Sequence, residues 1–500
     1  MTQSTLPAAP EFVEPAQEWG RLDARMIVVR PLNELLGLLP LLFALVVVGN
    51  VETWRVVIGV GTVGLIVAYG LLSWLTTKYR ITDTQVELHK GVLFRQRRAI
   101  PRDRIRTVDL TAKLGHRLFG LAAVRVGTGQ QERTPGEGVL LDAVTATEAD
   151  RLRQVFLHRP AVAEAVQEVE ETPISRLDNR WYRYAPLSLS GLLSIAVMVG
   201  FGMNLANELD FEFSDVAVVR QVFGWLTHAD WTAVIPVAAA LVLVLSVLAS
   251  LVAYLLQNHA YRLTRHADGT LRVRRGLLTT RSVSIEEQRL RGVALHEPLL
   301  LRAGRGARLT AVSTGLNRQA NSSLLLPPAP RPEADRVTAA VLRVPTAPTT
   351  ARLRPHPPQA RTRRLIRAVL PAVALTAALL TLTLTAAWPE WLWITSTALI
   401  PLSVLIGLDR YRNLGHTLTD RYLVTRSGSL DRRTIALRRT GIVGWKITRT
   451  LFQRRAGLLS ITAITAAGNG GYTVPDIAEP DGLALADTAV PDLLRQFLTP

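Results

Sequence analysis

The side chains with most chemistry to offer are arginines, and they come in three clusters. The first is Arg95, Arg97 and Arg98 with Arg102, Arg104 and Arg106. The second is Arg272, Arg274 and Arg275 with Arg281. The third is Arg432 and Arg433 with Arg438, Arg439, Arg454 and Arg455. A planar guanidinium meets phosphate or carboxylate in bidentate fashion. The chemistry suggested is contact with lipid headgroups or an acidic partner, and a solvated face required only by membrane topology gives the same pattern. The candidate contacts are Arg95, Arg97, Arg98, Arg102, Arg272, Arg274, Arg275, Arg432, Arg433, Arg438 and Arg439.

Other chemistries have weak support. Cysteine is absent, which excludes disulfides, cysteine metal sites and thiol nucleophiles. The nine histidines are scattered, with no His-Glu-x-x-His and no pair at ligand spacing. Gly468-Asn469-Gly470-Gly471 lacks the Lys-Ser/Thr of a phosphate-binding loop and reads as a hairpin turn, as does Gly127-Thr128-Gly129. Ser313, Ser427 and Ser429 lack a nucleophile-elbow context. No catalytic, cofactor-binding or metal-ligating residue is assigned, and a non-enzymatic role is expected. A net charge of +18 and a pI near 11.0 invite nucleic acid, but the basic strands lack clustered aromatics for base stacking. A basic membrane-facing surface fits the same charge.

The elements that must hold these arginines are set by hydropathy. Of 500 residues, 48% are hydrophobic and 20% charged, and mean hydropathy is +0.20, the composition of an integral membrane protein. Six segments are long enough to cross hydrocarbon, and they come in pairs: Pro31–Gly49 with Val56–Leu75, Pro186–Ala206 with Ala233–Leu256, and Ala368–Ala387 with Trp391–Leu408. Residues 1–20 are polar and acidic without a basic region before a cleavage site, so no cleaved signal peptide is expected. Arginines flank the outer ends of each pair, as Arg25 and Arg80, Arg183 and Arg262, and Arg367 and Arg410 do. The connectors within pairs are acid-biased. The positive-inside rule then places the long segments and both termini in the cytoplasm. Inside the spans ionisable groups are nearly absent, which favours anchors over a transport pathway.

The polar segments repeat three times. Each begins with a short strand: Tyr79-Arg80-Ile81-Thr82, Tyr261-Arg262-Leu263-Thr264, His416-Thr417-Leu418-Thr419. A glycine turn follows at Lys90-Gly91-Val92-Leu93, Arg275-Gly276-Leu277-Leu278 and Ser427-Gly428-Ser429-Leu430. Aliphatic pairs come next, Ile100 and Ile105, Ile285 and Leu290, Leu437 and Ile442. A basic turn then enters another strand: Arg117-Leu118-Phe119-Gly120, Arg302-Ala303-Gly304, Arg455-Ala456-Gly457. Each unit closes with a helix, and Thr145 to Glu148 has capping-box spacing. Short alternating strands before one helix predict a small antiparallel barrel or sandwich capped by that helix. The half of each unit nearest the membrane is basic, as residues 78–117, 262–308 and 410–455 show. Acidic residues 161–175 and the Pro/Arg-rich run 344–364 read as flexible connectors.

A helical hairpin followed by Y-x-(I/L)-T, (K/R)-G-(V/L)-L and R-L-F-G-L resembles the YdbS/YdbT type of bacterial pleckstrin-homology (PH) membrane protein. Three tandem copies resemble the longer, YdbT-like kind, over about residues 26–500. Unit two departs with Ala303 and unit three with His416. The resemblance implies PH-like cytoplasmic domains and a non-enzymatic role in binding, assembly or envelope stress and antimicrobial resistance, beside a shorter YdbS-like partner.

The expected fold is an α+β membrane protein with six transmembrane helices in three hairpins, each followed by a PH-like barrel and C-terminal helix. Expected boundaries are a tail at 1–25, hairpins at 26–76, 184–257 and 365–408, PH-like domains at 77–160, 258–344 and 409–500, and linkers at 161–183 and 345–364. The expected function is protein–protein or anionic inner-leaflet lipid contact, with no cofactor and no nucleic acid. The alternative is a subunit of a transporter or channel.

Overall fold

The computed structural model describes residues 19–29, 32, 53–82, 84–91, 96–102, 105, 107–127, 139–156, 171–188, 200, 231–314, 323–386, 388–491 and 493. It begins with a two-residue strand, β1 (Gly20–Arg21), and an apolar helix, α1 (Thr53–Thr76). The first repeat then runs β2 (Lys78–Ile81), β3 (Gln85–Lys90), β4 (Gln96–Pro101), β5 (Thr107–Ala112), α2 (Leu114–Leu118), β6 (Leu121–Gly127), β7 (Val139–Thr145) and α3 (Ala146–Phe156). The second is preceded by β8 (Thr172–Arg176) and helix α4 (Trp231–Asn258). It comprises β9 (Arg262–Arg265), β10 (Thr270–Arg275), β11 (Thr280–Glu286), β12 (Leu290–Pro298), α5 (Leu299–Ala303), β13 (Gly306–Ser313), β14 (Leu324–Pro330) and α6 (Arg331–Leu342). Helices α7 (Pro358–Ala386), α8 (Glu390–Thr397) and α9 (Leu399–Arg412) introduce the third. That repeat is β15 (Gly415–Leu418), β16 (Tyr422–Ser427), β17 (Asp431–Arg438), β18 (Gly444–Thr448), α10 (Leu451–Arg455), β19 (Leu458–Ile464), β20 (Gly471–Ala478) and α11 (Glu479–Ala489). Element for element, the three units match.

Local chemistry explains the shared turns. Thr82 and Thr419 close the turn after the first strand of units one and three, each hydroxyl accepting from the backbone N–H three residues on, at 3.0 and 3.2 Å. Unit two uses Asp268, which accepts from the Thr270 N–H at 2.8 Å. The later turn needs glycine at Gly276 and Gly428, where φ is +110° and +103° and a Cβ would strike the carbonyl of Thr279 or Asp431. The Thr145 hydroxyl caps α3 by accepting from the Glu148 N–H at 3.3 Å.

Three helical segments are long and apolar enough to cross a membrane among the described residues: Val234–Asn258, Pro358–Ala386 and Glu390–Arg412, with mean hydropathies of 2.7, 2.1 and 1.8. Only 6%, 6% and 17% of their apolar windows are buried in the protein, so these are not core helices. They coincide with the fourth, fifth and sixth spans expected from sequence. Pro401 has no N–H to give the Thr397 carbonyl, and the last span is interrupted at Ala398 between α8 and α9. The second expected span falls on α1. The first, Pro31–Gly49, apart from Leu32, and most of the third, Pro186–Ala206, lie outside the described residues, though Pro186–Ser188 is a 3₁₀ turn rather than the start of a span. Among the described residues the protein therefore has three such spans rather than the six expected.

The expected flexible connectors are folded where described. β8 pairs antiparallel with β9, Thr172 opposite Arg265, and Arg354 bridges His416 of β15. β1 does the same for β2, Gly20 opposite Tyr79. The chain thus starts each sheet before it enters the hydrophobic helices. Proline and acid content hid these strands, because pairing along an edge tolerates both. Residues 347–349 are buried, and His356 is buried at 4% exposure. His356 Nδ1 donates to the Asp476 carbonyl at 3.0 Å, and His416 Nδ1 donates to His356 Nε2 at 3.2 Å. The Asp476 carboxylate, fully buried, meets Arg363 and Arg364 of α7 and accepts from Gln453 Nε2 at 2.8 Å. This network fastens the start of α7 to the core of unit three.

Candidate interaction surface

The sheets do not respect the repeats. β1-β2-β3-β4 form the first sheet and β18-β19-β20 the last. Between them, β7-β6-β5-β11-β10-β9-β8 and β14-β13-β12-β17-β16-β15 each join the back half of one unit to the front half of the next. Two antiparallel seams, β5 on β11 and β12 on β17, weld the array edge to edge. Their registers are equivalent: Val108 faces Ser284 in the first, and Val293 faces Ala436 in the second. The second seam is the more apolar. Tyr422, Val424 and Ala436 of unit three enter the core of unit two, while Ala294 and Val312 enter the core of unit three.

Each seam holds a carboxylate from the upstream unit beside at least one arginine of the downstream one. In the second, Glu297, 3% exposed, accepts from Arg432 Nε and Nη2 at 2.9 and 2.8 Å and from Arg331 Nη1 at 2.6 Å. Burial alone pushes the Glu297 carboxyl up, but Arg432 and Arg331 outweigh it and hold it below the usual range. His296 and Arg433 likewise flank Asp431, which sits near 2 despite its burial. In the first seam burial pushes Asp109 up, opposed by Arg281, Arg125 and Arg275. Burial and Arg281 push Arg275 down to about 10.

Of the eleven arginines nominated from sequence, the structure brings several to the seams. Arg275 is buried beside the end of α4, its Nη1 3.4 Å from Asn258 Oδ1. Arg272 donates to Ser282 at 3.0 Å and lies 3.7 Å from Asp150 of unit one. Arg432 grips Glu297, and the exposed Arg433 pairs with Asp431 at 2.7 Å. Arg439 binds the last carbonyls of α11, donating to Ala489 at 2.8 Å and Thr488 at 2.5 Å. Arg438 and Arg439 also line an open groove of about 590 Å³ with Asp420 and Val490. Arg97 and Arg274 are exposed, and Arg98 and Arg102 half-buried. Arg95 lies outside the described residues. The sequence signal that could have revealed the seams is a lone carboxylate in the strand before each short helix, Asp109 ahead of Leu114 and Glu297 ahead of Leu299.

A second feature escaped sequence reading: an apolar rim where the units meet the spans. The Gly276 and Leu277 N–H groups donate to the His259 and Leu256 carbonyls at the end of α4, both at 2.9 Å. This puts the β10–β11 turn against the membrane helix. Leu277 and Leu278 are exposed there, and Arg117, next to the 70% exposed Leu118, donates to the Leu277 carbonyl. The second seam repeats the layout, with the Leu299 N–H donating to the Leu430 carbonyl at 2.8 Å and Leu299, Leu300 and Leu430 exposed. Asp409 at the end of α9 binds Arg302 and Ser429 at 2.9 and 2.8 Å. In unit three Leu451 and Phe452, 73% and 74% exposed, sit beside Thr450, which accepts from Arg363 of α7 at 3.4 Å.

Comparison with known proteins agrees with this layout. The family model described as "Bacterial PH domain" matches three regions, residues 35–159, 191–351 and 365–490. The UPF0699 transmembrane protein YdbT of Bacillus subtilis (strain 168) is 22% identical over 437 residues, covering 83% of this chain and 85% of the relative.

Proposed function

This chain belongs to the bacterial PH domain family, YdbT-like in its three repeats, and from that premise we propose a non-catalytic membrane-anchored contact platform. Its seam-welded units lie against the cytoplasmic face of the inner membrane and present their remaining surfaces to other proteins of an envelope complex. Each repeat carries its own pair of spans, six in all, with both termini cytoplasmic. The repetition of the units and the arginines at the span ends support that arrangement.

The observation that carries the reading is the rim. Leucines and Phe452 recur at the same place in each unit, exposed, beside the ends of apolar helices. Exposed apolar residues at a membrane boundary are stabilised by partial burial among acyl chains. Arg97, Arg274 and Arg433 add attraction to anionic headgroups. Between Thr232 and Asn258 no side chain is ionisable except Tyr254, which supports an anchor rather than a transport pathway.

The cysteine-free chain makes the test simple. Single cysteines at Leu277, Leu430 and Phe452 should react with a bilayer-partitioning maleimide and resist a water-soluble one in reconstituted vesicles. A cysteine at Arg97 should do the opposite. Equal reaction of the rim with the water-soluble reagent would remove the membrane-facing role.

A further inference from the structure

Each unit has two edges of the kind that builds the seams, and the two seams use one of unit one, both of unit two and one of unit three. Of these seam-type edges, two remain without a strand partner among the described residues. β4 pairs only with β3, and β18 only with β19. These are the same two edges that meet at each internal seam. β4 occupies the place of β11 and β17, because Val86 faces Ile100 as Leu271 faces Ile285 and Leu423 faces Leu437. β18 occupies the place of β5 and β12, since Trp445, Val108 and Val293 each stand six residues before their short helix.

A second copy of the chain could in principle extend the array without limit, β18 of one copy on β4 of the next. A head-to-tail contact of this kind builds rings where its rotation closes and filaments where it does not. Transferring the internal register puts Trp445 opposite Ala99 and Lys446 opposite Arg98. Lys446 stands where the first seam has Asp109, and Arg449 where the second has Glu297. Both carboxylates that complement arginine inside the chain are thus replaced by cations at its own open end. Like charges directly opposite oppose pairing, and basic residues on a free edge block association between copies.

β4, by contrast, keeps the receiving character of the internal edges. It is basic, and Gln96, Arg97 and Ala99 on it are exposed. We infer, resting on the contact-platform role proposed above, that β4 is the docking edge for a PH-like unit of a different chain. The incoming edge is the strand that precedes that unit's short helix, and it carries Asp or Glu at the positions of Asp109 or Glu297. The pairing is antiparallel, in the register of the two internal seams, so the partner stands in the place of a missing upstream unit.

The charge logic is testable on the intact protein, purified in detergent and followed by light scattering. The wild type is expected to stay monomeric. Lys446→Asp with Arg449→Glu gives β18 the acidic pattern, and it should self-associate, about tenfold or more tighter than wild type at low salt and weakening with added salt. The mirror variant, Arg98→Glu, should also self-associate, because the acid it places on β4 faces the natural Lys446. The two variants combined should return to monomer. Because the two variants alter different units, misfolding of one leaves the other informative. Self-association of the wild type through β4 and β18, or monomeric behaviour of both variants, would overturn the inference. Either result leaves the maleimide test of membrane contact untouched, so the two failures are distinguishable.

Discussion

Removing the Glu297 carboxylate should open the second seam. The carboxylate is 3% exposed and takes three charge-assisted bonds, two from Arg432 and one from Arg331. Bonds to charged groups contribute roughly 1.5–3 kcal/mol each. The full sum is not lost, because Arg331 keeps Asp335 at 3.0 Å and both guanidinium groups retain some solvent access. Breaking one side of a largely buried pair costs about 3–5 kcal/mol. Taking ~3 kcal/mol for Glu297→Ala, the opening equilibrium of the seam rises about a hundredfold. The assay is hydrogen–deuterium exchange of the intact protein in detergent. Amides across 292–298 and 431–437 should exchange about a hundredfold faster, while the first seam, 107–112 and 280–284, stays as it was. Arg433→Ala is the control. Its partner Asp431 is shared with His296 and the arginine is half-exposed, so the effect should stay under about 1 kcal/mol. Unchanged exchange in Glu297→Ala, or equal acceleration in both seams, would refute the idea that this carboxylate locks one seam.

Three further outcomes are expected. His356 and His416 are held near 4, chiefly by burial, so the unfolded chain binds more protons between about 6.5 and 4. Stability of unit three is therefore full above about pH 6.5 and falls by a few kcal/mol as the pH drops toward 4; melting curves should show this slope, flattened in a His356→Gln, His416→Gln variant. Tyr261→Phe removes a buried hydroxyl bond to the Leu325 carbonyl at 2.5 Å and should cost about 1 kcal/mol by denaturant titration. Gly276→Ala forces a side chain onto the Thr279 carbonyl at φ +110° and should loosen the rim turn, seen as faster exchange at residues 276–280, whereas Gly269→Ala, which has open space, strains only the backbone.

Much of this architecture was legible in the residues, for physical reasons that can be named. Hydropathy located α4, α7 and the α8–α9 span, because a helix in lipid needs a long apolar run whatever surrounds it. The repeated glycine turns were legible because positive φ leaves little choice of residue at Gly276 and Gly428. What stayed hidden was pairing between units. Whether β5 ends a sheet or continues into β11 depends on an edge far away in sequence, and period-two alternation is the same in both cases. Arginines at Arg275 and Arg432 therefore looked like solvent-facing contacts and turned out to lie within the array. The strands at Thr172–Arg176 and Arg354 were hidden in turn by proline and charge, which edge positions tolerate.

The continuity of the array can be measured directly with cysteines at Thr111 and Arg281, the only two in the chain. The first seam sets these residues opposite one another. In intact membranes they should form an intramolecular disulfide under mild oxidation, whereas Thr111 paired with Glu286 should not. Failure of the first pair to cross-link, or cross-linking only between separate molecules, would contradict a chain whose units are joined strand to strand.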